Sequence, residues 1–122
     1  MVMLDANIIL RYLLNDNEQM ADEAEKIIEE KSGFITVEII AEVVYVLRRV
    51  YSIERDAIKL SLFQFLSEVT SNETEVIKLG LTVYGEKNLD FIDCILYAYH
   101  KVRGYEVMTF DKRLKRLLQD EM

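Results

Sequence analysis

Apolar positions along the chain fall into two rhythms, short continuous runs that suit strands and 3–4-residue spacings that suit helices. Residues 2–4 (Val-Met-Leu) form a short apolar run suited to a buried strand, and a helical pattern follows over 6–14. Asn15-Asp16-Asn17 breaks that pattern. Residues 18–31 then read as an amphipathic helix with Met20, Ala24, Ile27 and Ile28 on one side. Ser32-Gly33 marks a turn and residues 34–35 a second short strand. Thr36 is placed to cap a strongly apolar helix over 37–51, and two more helices are expected at 53–69 and 73–84. The spacing predicts a further helix over 90–103, stopped by Gly104, then a strand over 106–110 and a last short helix over 111–118. Strands of buried type at both ends of a helix-rich chain predict an α/β fold with a parallel sheet. In such sheets, sites form beyond the carboxyl ends of strands, where Asp5 and Asp111 both fall.

Composition narrows the possible chemistry. The chain has 122 residues, half of them hydrophobic (51%), with no proline and four glycines, so residues 1–122 read as one domain without linker or repeat. A single cysteine, Cys94, excludes an intrachain disulfide and a cysteine-based zinc site, and points to the cytoplasm. Neither a signal peptide nor a membrane-length apolar run is visible. With His100 as the lone histidine, a two-imidazole ribonuclease and a multi-histidine metal site are both excluded. The formal charge of -7 argues against gripping nucleic acid through overall charge. Much of that acidity is local, because residues 15–30 hold seven acids against Lys26 alone, as expected of a solvated helix face.

Four acids stand in less ordinary surroundings. Glu42 is the only charge in residues 39–47, and Asp93 the only charge in residues 91–99. A carboxylate in apolar surroundings costs several kcal/mol unless a positive group meets it. At 100° per residue Glu38, Glu42, Tyr45 and Arg49 share one stripe, so a pairing of Glu42 with Arg49 is the plain alternative. Asp90 and Asp93 have the spacing of a capping box, and Asp5 and Asp111 are each placed to cap a following helix. Taken together, four isolated acids border buried-looking segments, and the chain has too little His or Cys for another kind of metal site. Clustered carboxylates repel, and a hard divalent cation with oxygen ligands is the common remedy. Mg²⁺ or Mn²⁺ is the cofactor this pattern predicts, with phosphodiester cleavage as its chemistry.

The same residues carry a family resemblance. Leu4-Asp5-Ala6-Asn7-Ile8-Ile9-Leu10 resembles the opening motif of PIN-domain nucleases, and Ala41-Glu42-Val43-Val44-Tyr45-Val46-Leu47 resembles their glutamate motif. Asp90-Phe91-Ile92-Asp93-Cys94-Ile95-Leu96-Tyr97-Ala98 is similar to the third motif and Val107-Met108-Thr109-Phe110-Asp111-Lys112-Arg113-Leu114 to the fourth. The four occur in order over nearly the whole chain, and the wording is most similar to VapC-type toxins of bacterial and archaeal toxin–antitoxin pairs. The resemblance implies a PIN-like three-layer α/β/α sandwich, with a short parallel sheet surrounded by helices. It also implies a metal-dependent endoribonuclease that is homodimeric and inhibited by a separately encoded antitoxin, with Asp5, Glu42, Asp93 and Asp111 as its acids. Asp5, Asp93 and Asp111 are expected to hold one Mg²⁺, and Glu42 to help place it or a second ion. Asn7 and Thr109 are expected to orient ligands or the scissile phosphate from behind. The helix at 73–84 matches no family motif, and Glu38 and Asp90 receive no role.

An RNA substrate still needs cations. Lys101, Arg103, Lys112, Arg113, Lys115 and Arg116 crowd residues 101–117 against Glu106 and Asp111, and are expected to hold the RNA backbone, with Lys112 and Arg113 nearest the motif. Basic last turns complementing helix dipoles would look the same. Arg11, Arg48 and Arg49 are further candidates. His100 and Cys94 read as packing residues. Three other readings compete: a small α/β domain that binds a protein partner without catalysis, a receiver-like phosphoacceptor, and a PIN nuclease of RNA processing outside any toxin pair.

Overall fold

The computed structural model describes residues 1–120, so the last two residues of the predicted 1–122 domain lie outside it. The chain order is β1 (Val2–Met3), α1 (Ala6–Leu14), α2 (Glu18–Glu30), β2 (Gly33–Phe34), α3 (Val37–Arg49), α4 (Arg55–Leu66), α5 (Thr74–Glu86), α6 (Phe91–Arg103) and α7 (Lys112–Gln119). β1 and β2 pair in parallel, Val2 opposite Gly33 and Met3 opposite Phe34, with α1 and α2 forming the crossover between them. Thr70 adds a third rung: its N–H donates to the Gly33 carbonyl at 2.9 Å and its carbonyl accepts from Ile35 N–H at 3.0 Å.

Helix ends follow local chemistry. Asn17 caps α2 by accepting from Met20 N–H, Thr36 caps α3 by accepting from Ile39 N–H, and Gly104 stops α6 in the left-handed region at φ 73°. Only glycine reaches that conformation without steric cost. The core gathers the apolar faces of α1, α3, α4, α5 and α6, with Ile9, Ile40, Val43, Ile58, Leu62, Ile77, Leu81 and Ala98 wholly buried. α5 packs chiefly on α6 and α4, which fixes the turn of α6 on which Asp93 stands. Among the described residues no helix is long and apolar enough to cross a membrane.

Two expectations need correction. The strand expected over 106–110 does not form: residues 104–111 run without regular structure, with Met108 84% and Phe110 99% exposed. β-branched and aromatic residues favour a strand only where an edge and a packed face receive them, and here the Thr109 hydroxyl instead binds the Asp111 N–H in a local turn. The run at 2–4 is likewise not a buried strand. Val2 and Met3 are exposed and only Leu4 is buried, over Gly33, where an added Cβ would meet its side chain. The sheet is therefore short and parallel, as expected, but mostly helices carry the α/β fold.

Candidate metal site

Asp93 stands in the first turn of α6, half-buried, on the helix that Phe91, Cys94, Ile95 and Ala98 bind into the core. Burial raises its carboxyl above the ordinary carboxylate range, and the charges of Asp111 and then Asp90 push the same way. Asp90 takes the N-cap position of α6, but its side chain makes no capping hydrogen bond. Asp111 arrives from the other direction, out of the irregular segment. It caps α7, Oδ1 accepting from Leu114 N–H at 2.8 Å, and the wholly buried Leu114 anchors that turn. Thr109 Oγ1 accepts from Asp111 N–H at 3.0 Å, so Thr109 braces the backbone that carries the acid.

Asp90, Asp93 and Asp111 line one cavity of about 170 Å³ together with Arg55 and Arg113. Neither arginine is paired with these acids. Arg55 Nε donates to the Tyr84 carbonyl at 2.9 Å and its Nη2 to the Leu89 carbonyl, and the guanidinium lies 3.8 Å over the Tyr84 ring. Arg113 Nη1 donates to the Asn88 carbonyl at 2.8 Å. The two cations thus clamp the chain between α5 and α6 and make no ion pair with the carboxylates. Carboxylate oxygens are the donors a hard divalent cation takes, and in donor chemistry Asp93 and Asp111 fit one.

The other predicted residues lie outside that lining. Asp5 is exposed at the N-cap of α1, free of any side-chain capping bond, and Asn7 is exposed in the turn that follows. Glu42 is exposed on α3, next to Ala41. Ala41 lines a larger cleft of about 890 Å³ that also reaches Asp90 and Asp93. Glu38 is exposed too, and its charge adds to the upward push on the Tyr99 hydroxyl, which burial and Glu73 dominate. Among the described residues no three His, Cys, Asp or Glu side chains stand close enough together to hold a metal ion.

Several cations expected to serve phosphate have other occupations. Arg103 pairs with Glu73 and also donates to the Asn72 carbonyl at 3.3 Å. Arg11 pairs with Asp16 at 2.8 Å. Lys112 is exposed beside the Asp111 cap. His100 sets Nδ1 2.7 Å from the Tyr105 carbonyl, and Cys94 is wholly buried, its thiol pushed up to about 12 mainly by desolvation. Arg55 is a site residue that sequence reasoning missed, because a basic residue at the start of a helix carries no sign of which carbonyls it will reach.

A "VapC ribonuclease" of Aquifex aeolicus (strain VF5) is 29% identical over 129 residues, covering 96% of this chain and 92% of that protein. No solved structure matches. The PIN domain family matches residues 2–118, a span that takes in β1, all seven helices up to the penultimate residue of α7, and every acid named above. The chain belongs to the PIN domain family.

Proposed function

We propose that this chain is a divalent-metal-dependent endoribonuclease that works as one PIN domain, and that it is the toxin of a type II toxin–antitoxin pair. The observation that carries the reading is the shared cavity of Asp93 and Asp111, two carboxylates from separate elements whose mutual repulsion helps hold the Asp93 carboxyl above its ordinary range. Similarity to a VapC ribonuclease over nearly the full length supports RNA as substrate and an antitoxin as partner. A homodimer in the cytoplasm belongs to the same proposal on the strength of the motif resemblance.

Asp93 and Asp111 would hold the cation, Mg²⁺ or Mn²⁺, with Asp5 and Glu42 contributing as the motif order suggests. Such a cation supplies Lewis acidity toward an attacking water and offsets charge on the phosphate as it is cleaved. The protein's own part is positional. Thr109 and the Leu114 N–H fix the Asp111 backbone and one carboxylate oxygen, leaving Oδ2 without a protein donor among the described residues. Arg55 and Arg113 hold the chain that leads into Asp90 and Asp93. Asn7, Lys112 and Arg113 are the proposed contacts to ligands or the scissile phosphate.

The test is cleavage of a single-stranded RNA by the purified chain with Mg²⁺, with Mn²⁺ and with EDTA, run beside the Asp5→Asn variant. The expected outcome is cleavage with either metal, none with EDTA, and loss in the variant with an unchanged circular dichroism spectrum. Undiminished cleavage in EDTA, or in Asp5→Asn, would overturn the reading. Co-expression with the product of the adjacent short reading frame is expected to suppress the activity, which tests the toxin assignment separately.

A further inference from the structure

Gly80 stands buried in the middle of α5, in ordinary helical backbone, so no dihedral angle there requires glycine. Glycine in mid-helix weakens the helix relative to alanine, and its place calls for a packing reason. That reason lies across the interface with α6. A Cβ at Gly80 would come 2.7 Å from Ile95 Cδ1 and 3.4 Å from Ile95 Cγ1, with the Cys94 carbonyl oxygen at 3.7 Å. Ile95 is itself buried, so the tip of its side chain has packed core around it rather than water. One turn further along α5, Tyr84 meets Phe91 edge-on, with ring centroids 5.7 Å apart, and at the other end Glu73 pairs with Arg103. The two helices therefore run antiparallel in a fixed register. The gap between their axes follows from the side chains at the contact, and at this rung one partner has none.

We propose that Gly80 is a positioning residue for the metal site: by admitting Ile95 against the α5 backbone it sets how deeply α6 seats, and with that the reach of the Asp93 carboxylate toward a cation shared with Asp111. The proposal rests on the metal-dependent reading and goes beyond it by giving a role to α5, the helix that carries none of the four motifs. At about 100° per residue, Asp93 lies on the opposite side of the α6 axis from Ile95. Any lift of α6 off α5 thus carries Asp93 outward. Asp111 is held from the α5 side, because Arg113, two residues on, donates to the Asn88 carbonyl and Arg55 holds the Tyr84 and Leu89 carbonyls. A wider gap between α5 and α6 therefore changes the spacing of the two acids, and such a site tolerates only about half an ångström of misplacement. Packing alone would cost Gly80→Ala stability; positioning costs it metal affinity beyond what stability explains.

The experiment is calorimetric titration of the full chain with Mn²⁺ in the absence of RNA, beside thermal melts of the same proteins. Gly80→Ala is expected to melt within about 4 °C of wild type and to bind Mn²⁺ roughly tenfold more weakly. Adding Ile95→Val removes Cδ1, the atom nearest the new methyl, and is expected to restore affinity to within about twofold. Ile28→Val shortens a buried side chain on α2, which packs on α1, and is expected to lower the melting temperature with Mn²⁺ affinity unchanged. Wild-type affinity in Gly80→Ala, a loss that Ile95→Val does not repair, or an equal loss in Ile28→Val would overturn the proposal. Should Gly80→Ala not fold, Ile95→Met decides in its place: it refills the same gap from the α6 side at similar volume and is expected to weaken Mn²⁺ binding about threefold, and wild-type affinity there overturns the proposal. Wild-type protein that takes up no Mn²⁺ would instead overturn the metal reading itself.

Discussion

At the N-terminal end of α6, Asp90 and Asp93 share a cavity with Asp111, and the arginines beside them are turned away onto backbone carbonyls. At the C-terminal end of the same helix, Arg103 pairs with Glu73, His100 meets the Tyr105 carbonyl, and Tyr99 and Tyr105 stack with ring centroids 6.0 Å apart. One end holds like charges together and the other matches unlike ones. Charges matched by the fold serve the fold. Like charges gathered at a cavity raise the free energy of the chain alone, which is the pattern a binding site presents.

The sharpest way to break this comparison is Asp93→Asn. RNA cleavage in Mg²⁺ is expected to fall at least about a hundredfold, the scale of losing a charge-stabilising group in an active site, as measured by initial rates on a labelled RNA. An Asp93→Asn enzyme of near wild-type rate would place the chemistry elsewhere.

Arg55→Ala tests whether the turned-away arginines hold the site in shape. Its loss leaves the Tyr84 and Leu89 carbonyls without their donor, and unfolding in urea is expected to require about 1–3 kcal/mol less. Arg55→Lys is expected to recover little of this, since one ammonium cannot span two carbonyls while lying flat on the Tyr84 ring.

The acid end should also carry a pH dependence of opposite sign to that of a paired carboxylate. Because the folded carboxyl of Asp93 is raised, the native state holds its proton more tightly than the unfolded chain does. Stability of the metal-free protein therefore declines as pH rises from the ordinary carboxylate range through that raised value. Melting temperature in EDTA is expected to show this decline, and Asp93→Asn to flatten it by roughly 1–3 °C. The smallest effect belongs to the other end. Arg103→Ala removes an exposed ion pair and is expected to leave the cleavage rate within about twofold.

Asp93, which interrupts an apolar helical run, and Asp111, which follows a strand-like one, do line one cavity, whereas Asp5 and Glu42, singled out in the same way, lie outside it. Periodicity also placed α1 to its exact ends and the other helices to within a few residues. What was not legible depended on contacts remote in sequence. Whether 106–110 becomes a strand turns on whether an edge receives it, and the backbone there makes a local turn at Thr109 instead. Arg55 gains its meaning only from carbonyls 29 and 34 residues away. Arg103 looked like a phosphate ligand by composition and is committed to Glu73 by the packing of α6 on α5.

The irregular stretch from Gly104 to Asp111 has a further consequence, for how such an enzyme can be switched off for good. It joins α6 to α7 across exposed backbone, with Phe110 at 99% exposure directly before Asp111 and Leu114 as the fully buried residue of α7. Exposed, irregular segments are where proteases cut first. A single nick after Phe110 would leave Asp111 and its helix joined to the rest of the fold by packing alone, through the buried Leu114, Leu117 against the core and Arg113 on the Asn88 carbonyl. The residue proposed to do chemistry is thus joined covalently to the core only through the exposed segment before it.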